Sequence, residues 1–258
     1  LKAVRSKKEA SINGCMQLLK EKKVEAVFSA GSTGATLISA ITILGKQRGV
    51  IRPAIASVLP TNERSVILLD SGASLDVKPK VLYQFAVMGS KLAEALFDIE
   101  SPKIGLLNNG EEESKGRELE KSAFKLLNSS SLNFVGNVEG RDFATNKVDV
   151  FVTDGFTGNV VLKTLEGTAK LQQNLISSSL KQNLFKPFLP SVKKALKPVK
   201  DQLNPDKTNA SYLLGVDGLV TIGHGSSKQE AIMNGIQYTN ESIKKDFIGK
   251  FSDAIKEL

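Results

Sequence analysis

Val148-Asp149-Val150-Phe151-Val152-Thr153-Asp154-Gly155-Phe156-Thr157-Gly158-Asn159 is the stretch that decides the fold. Val148, Val150, Phe151, Val152 and the stem of Thr153 suit a buried strand. The pattern then breaks into a Gly- and polar-rich turn, and a helical pattern follows from Val160. An apolar strand that runs into such a turn and then a helix is how α/β proteins build sites, since ligands bind at the carboxyl ends of the strands. Gly155 and Gly158 allow backbone to approach a ligand closely. A helix opening at Asn159 or Val160 presents free N–H groups and the positive end of its dipole to an anion. Read alone, the stretch suits a plain capped helix after a strand equally well.

The same unit recurs on either side. Val24–Ser29 reads as a strand, followed by Ala30-Gly31-Ser32-Thr33-Gly34-Ala35 and the apolar helix Thr36–Leu44. That turn can cradle a phosphate but lacks the spacing and lysine of a P-loop. Ala54–Leu59 and Val66–Asp70 read as strands, the second entering Ser71-Gly72-Ala73-Ser74. Val81–Phe97 is a long helical pattern. Lys103–Leu107 leads into Asn108-Asn109-Gly110-Glu111-Glu112-Glu113-Ser114-Lys115-Gly116 and the helix Arg117–Leu127. Phe134–Val138 is a further strand, and Gly218–Ile222 precedes Gly223-His224-Gly225. Strands alternating with helices predict a three-layer α/β/α architecture on a mostly parallel sheet. The polar turns predict one cleft on the carboxyl edge of that sheet.

The ends and one insertion differ in kind. Ser11–Lys23 is an amphipathic helix with Ile12, Cys15, Met16 and Leu19 on one face, which makes Cys15 a small core residue. From Gln229 to Leu258 a helical pattern carries the apolar stripe Ile232, Ile236, Ile243, Phe247 and Phe251, expected in the core. Between Glu166 and Asp201 the chain has seven lysines and no acidic residue. Leu171–Leu203 is an inserted basic amphipathic arm, cut into short helices by Pro187, Pro190 and Pro198. Such an arm suits an anionic bilayer, with Leu184, Phe185, Phe188 and Leu189 in the interface and lysines on the head groups. It also suits a cover for the core or for a dimer partner.

Composition narrows the function classes. The 258 residues suffice for one single large α/β domain, and no apolar run approaches a membrane span. One cysteine excludes an internal disulfide framework, and one histidine makes a zinc site unexpected. The net charge of +8 favours acidic partners.

AGSTGA, LLDSGAS, QFAVMGS, LLNNGEEESKG, VTDGFTGNVVLKTLEG and GHGSS occur in this order and at these intervals. Together they closely resemble the PlsX family of phosphate acyltransferases of bacterial phospholipid synthesis, over essentially the whole chain. The resemblance implies an isocitrate-dehydrogenase-like, phosphate-acetyltransferase-like α/β/α fold. It implies transfer of a long-chain fatty acyl group from acyl carrier protein to inorganic phosphate, without cofactor or metal. It further implies a cytoplasmic homodimer, peripherally membrane-associated, with no nucleic-acid partner. The family's opening strand and DAMGGD-like turn are not matched, so an N-terminal portion is expected to be missing.

On this basis Lys115 is assigned to phosphate binding or oxyanion stabilisation, and Asn159 to the thioester carbonyl or phosphate. Gly31, Ser32, Thr33 and Gly34, with Gly155, Thr157 and Gly158, are expected to form an anion cradle. Asp70, Gly72, Asn108, Gly110 and Asp154 complete the substrate-binding set, and His224 is a contact to phosphate or the leaving group. Glu111–Glu113 are expected to orient Lys115 or cap the following helix. Ser32 and Ser74 stand where the family pattern has Asn, so their direct contacts are not carried over. Three other readings compete. One is a short-chain acyl-CoA phosphate acyltransferase, and another a metal-dependent dehydrogenase, disfavoured because Asp70 and Asp154 lie on separate turns. The last is a non-catalytic membrane scaffold for acyltransferases.

Overall fold

The computed structural model of the chain describes residues 7, 9–61, 63–180, 189–202, 210–225, 227–245, 249 and 251, with backbone alone at 189, 193 and 200–202. In chain order the elements are α1 (Ser11–Lys20), β1 (Ala26–Ser29), α2 (Thr33–Ile43), β2 (Ala54–Leu59), β3 (Val66–Leu69), α3 (Pro79–Phe97), β4 (Ile104–Leu107) and α4 (Glu118–Asn128). Then come β5 (Phe134–Val138), a 3-10 turn (Gly140–Ala144), β6 (Val150–Val152), α5 (Gly155–Leu180), α6 (Leu189–Gln202), β7 (Ser211–Leu214), β8 (Leu219–Ile222) and α7 (Gln229–Lys244).

The strands form one sheet in the order β1-β8-β7-β2-β3-β6-β4-β5. β1 pairs parallel with β8, and β3, β6, β4 and β5 pair parallel in succession. β7 and β2 are antiparallel to each other, to β8 and to β3. The mostly parallel α/β sheet is therefore present as two parallel blocks that run in opposite directions, joined by an antiparallel pair.

Side chains alternate across this sheet with period 2. Ala54, Ala56, Ile67, Leu69, Val150, Val152, Tyr212 and Leu219 pack with α3, α4 and α7 on one face. On the other face Ile55, Val27, Leu213 and Val220 meet Met16, Leu19 and Ala40 of α1 and α2. Leu68 and Phe151, also on that face, pack with Val161 and Leu162 of α5. Each fully buried Val, Ile or Leu contributes about 1.5–3 kcal/mol relative to an exposed one. Burial on both faces explains the near-continuous apolar strands.

Four sequence expectations change. α5 begins at Gly155 rather than near Val160, so the Gly-rich turn is the helix's own first turn. Cys15 is exposed, and Asn13 takes the buried position, bonding Ser39 Oγ at 2.6 Å. Ile232 and Ile236 are exposed, because α7 turns Ala231, Gly235, Thr239 and Ser242 to the core. Small residues let the helix approach closely: a Cβ at Gly235 would overlap the Phe28 ring. Residues 171–180 are the end of one 26-residue helix, and the 14-residue α6 opens beside Pro190 but runs through Pro198, which therefore does not break it. Leu184, Phe185 and Phe188, like Phe247, lie outside the described residues, as does the side chain of Leu189.

Candidate active site

A cavity of about 1350 Å³ opens over β2 and β7. Its floor is the sheet face formed by Ile55, Ser57, Leu59 and Ser211, and the residues that follow β1, β3 and β8 reach it from their turns. The reason is topological. Parallel crossovers place α2 and α5 over the two blocks on this face, whereas β2–β3 and β7–β8 are hairpins that need no covering helix. The cleft predicted for the carboxyl edge of one parallel sheet is thus a gap between two opposed blocks.

From one block come Thr33 and Gly34 of α2, with Gly223, His224 and Gly225 after β8. From the other come Ser71 and Gly72 after β3, and Asn159, Lys163 and Glu166 on successive turns of α5. The first-turn N–H groups of Thr33 and Gly34 have no backbone acceptor among the described residues, while Ser32 caps the helix by accepting from Ala35 N at 3.4 Å. Gly31 is exposed and its N–H reaches Ser29 Oγ at 3.4 Å. Thr33 and Gly34 therefore supply the anion-attracting end of a helix. Asn159 is exposed, and its side-chain amide has no partner among the described residues. Gly72 packs beside it: a Cβ there would lie in ordinary contact, 3.6 Å from Asn159 Cβ, and it is the backbone φ of +140° that favours glycine.

The second half of the expected cradle is otherwise engaged. Gly155 N donates to Ser74 O at 2.9 Å, Thr157 N to Asp154 Oδ1 at 2.8 Å, and Gly158 N to Asp154 O at 2.9 Å. Asp154 is the cap of α5, and its Oδ2 also accepts from Thr157 Oγ1 at 3.0 Å and from Arg117 at 2.6 Å. Gly155 and Gly158 are close-packing residues against the Asp70–Ser74 loop rather than against a ligand. A Cβ at Gly155 would lie 2.7 Å from the Asp70 carboxylate, and one at Gly158 would overlap the Asp70 carbonyl oxygen. Asp70 organises that loop. Its fully buried carboxylate accepts from the N–H of Ile55, Gly72, Ala73 and Ser74 at 2.7–3.1 Å. Burial pushes the Asp70 carboxyl above its ordinary range, and these backbone donors oppose the push.

Lys115 sits on a separate loop and does not line the cavity. It is exposed, and its ammonium has no partner among the described residues. Asn108 and Gly110 shape this loop: Asn108 Nδ2 donates to Lys115 O at 3.2 Å, and the Lys115 stem lies where a Cβ of Gly110 would be, 2.8 Å from Cγ. Glu111 pairs with Lys147 at 2.9 Å instead of orienting Lys115, and α4 is capped at Arg117 by Glu120 in its own first turn, whose carboxylate accepts from Arg117 N at 2.8 Å.

Arg117 was not evident from the sequence. Its guanidinium bridges the buried carboxylates of Glu120 and Asp154, which hold its own pKa above the ordinary value. It thereby ties the Lys115 loop to the first turn of the helix that carries Asn159. Lys163 and Glu166 were missed too, although they lie four and seven residues beyond Asn159, on one helical face. Glu166 accepts from Lys163 at 2.9 Å and faces His224 Nε2 at 3.1 Å. Chiefly the His224 contact holds its carboxyl below the usual range, with Lys163 adding to the effect. The hydroxyls of Ser57, Ser71 and Ser211 form a bonded chain, at 2.7 and 2.9 Å, along the cavity floor. Among the described residues no cluster of three or more His, Cys, Asp or Glu suits a metal, and no helix is long and apolar enough to cross a membrane.

Residues 1–250 match the family described as "Fatty acid synthesis protein". A phosphate acyltransferase of Elusimicrobium minutum is 42% identical over 264 residues, covering 99% of this chain and 75% of the relative. One of Dictyoglomus turgidum is 43% identical over 259 residues, covering 99% and 77%. Among solved structures, a branched-chain phosphotransacylase of Enterococcus faecalis superposes with TM-score 0.58 at 12% identity, over 90% of this chain and 78% of that one. The EutD phosphotransacetylase of Staphylococcus aureus gives 0.53 at 14% identity, over 96% and 67%. These two likenesses are of fold.

Proposed function

The chain belongs to the fatty acid synthesis protein family of phosphate acyltransferases and is an acyltransferase with phosphate as a substrate, and from that premise we propose that it moves a long-chain fatty acyl group from acyl carrier protein to inorganic phosphate, forming acyl phosphate for phospholipid synthesis. The observation that carries this reading is the cavity lined both by Asn159 and by Thr33 and Gly34, whose side-chain amide and first-turn N–H groups have no partner among the described residues.

Hydrogenphosphate is already a nucleophile, so the protein's task is to hold it beside the thioester and to stabilise the oxyanion. The N-terminus of α2 holds the phosphate. Asn159 Nδ2 donates to the carbonyl oxygen as it becomes an oxyanion. Lys115 lies outside the cavity, and its part in this reading is to bring a cation to the phosphate as its side chain reaches in from the loop that Arg117 fixes to α5. Asp70, Asp154, Gly155, Thr157 and Gly158 set the position of Asn159 through the packing of that helix.

Replacing Lys115 with Ala is expected to lower kcat/KM for phosphate, measured with palmitoyl-acyl carrier protein, about tenfold to a hundredfold, mostly through KM. The residue is exposed, so the melting temperature is expected to stay put. Unchanged kinetics would remove Lys115 from the site.

We place the enzyme in the cytoplasm as a homodimer on anionic membrane, with its net positive charge of +8 steering the acidic carrier protein. The support for membrane contact is the acid-free, lysine-rich sequence between Glu166 and Asp201. Leu184→Asp with Phe188→Asp is expected to abolish flotation with anionic liposomes while sparing turnover of the soluble substrate. Undiminished flotation would rule that contact out.

A further inference from the structure

The reaction proposed above leaves a proton to be moved. Hydrogenphosphate carries one, acyl phosphate does not, and the carrier's alkyl thiolate is too basic to leave readily without one. We propose that His224, held by Glu166, carries this proton. The two side chains converge on the cavity from different elements, His224 from the turn after β8 and Glu166 from the fourth turn of α5. They meet at 3.1 Å through Nε2. Lys163 is 3.4 Å from the same nitrogen and bonded to the other carboxylate oxygen, Oε2, at 2.9 Å. In the proposed tautomer Nε2 carries the proton and donates to the Glu166 carboxylate, which leaves the lone pair on Nδ1. That nitrogen has no partner among the described residues.

The step balances as written. A phosphate oxygen bonds to the thioester carbon, and its proton passes to His224 Nδ1, giving an imidazolium stabilised by Glu166. The C–S bond then breaks, and the proton passes from Nδ1 to sulfur, so acyl phosphate and free thiol leave with the imidazole restored. Glu166 plays the part a carboxylate plays beside the histidine of a hydrolase triad: it orients the ring and stabilises the charged form. His224 acts on the reacting atoms, and Glu166 is a positioning residue.

The proposal rests on the acyl-transfer reading, and the test separates the two. Acyl phosphate formation is measured for the parent protein, His224→Gln and Glu166→Gln with two thioesters: palmitoyl-acyl carrier protein and the palmitoyl thioester of 4-nitrothiophenol. The aryl thiolate leaves without a proton. His224→Gln is expected to lose about a hundredfold in kcat with the carrier thioester, the scale of general acid–base catalysis, and less than tenfold with the aryl thioester. Glu166→Gln is expected to show the same asymmetry at smaller size. Equal losses on both substrates, or none, would overturn the proton transfer while leaving the reaction intact. Absence of acyl phosphate from the parent with either thioester would overturn the reaction and the proposal together.

Discussion

Asn159→Ala is expected to cut kcat about a hundredfold to a thousandfold at unchanged thermal midpoint. Removing one donor from an oxyanion site has that scale, because the donor acts where charge develops. The midpoint should hold because the residue is exposed and its amide supports nothing else among the described residues. Asn159→Asp should do no better, since a carboxylate cannot donate and repels phosphate. A loss confined to KM would make Asn159 a ground-state contact, and kcat within tenfold of the parent would remove it from the chemistry.

Gly158→Ala is expected to act on the fold instead. Its Cβ would overlap the carbonyl oxygen of Asp70, and the carboxyl side chain of that residue is bonded to four backbone N–H groups. Backbone pinned in this way cannot relax as a side chain would. We expect a cost of about 3 kcal/mol or more, the upper range for overpacking, read as a midpoint lowered by about 6–12 °C. Residual activity per folded molecule should also fall, because relief of the overlap displaces Asn159. A variant with the parent's midpoint would show that α5 is not held where the structure places it.

The fold was legible where burial dictates composition. Seven of the eight strands read correctly because both faces are covered, whereas the short β7 (Ser211–Leu214) was missed, and the strand–turn–helix units read correctly because Gly and polar residues interrupt apolar runs. The direction of each strand was not legible. Nothing local in Ala54–Leu59 says that it runs against Val66–Leu69, since antiparallel and parallel strands buried on both faces have the same composition. That choice moved the cleft from a sheet edge to the gap between two blocks.

The site divides in the same way. Asn159, Thr33, Gly34 and His224 stand in the cavity, and their turns announced them. Asp154, Gly155 and Gly158 were conspicuous too, yet they build the helix start: a capping aspartate and two close-packed glycines look like a ligand loop in sequence. Arg117, Lys163 and Glu166 were hidden among ordinary surface charges. Their partners lie 37 residues away in one case and 58 in another.

The bare stretch of sheet beneath the cavity has a further consequence. Its small hydroxyl side chains, Ser57, Ser71 and Ser211, come from the two central strands and the turn after β3, whereas Asn159 and the first turn of α2 ride on helices of the flanking blocks. How much room a guest finds and how it is chemically handled thus reside in different parts of the architecture. Enlarging Ser57 or Ser211 would shorten the space without moving the groups that hold charge. A lineage built on this plan can drift in what it accepts while its reaction stays fixed.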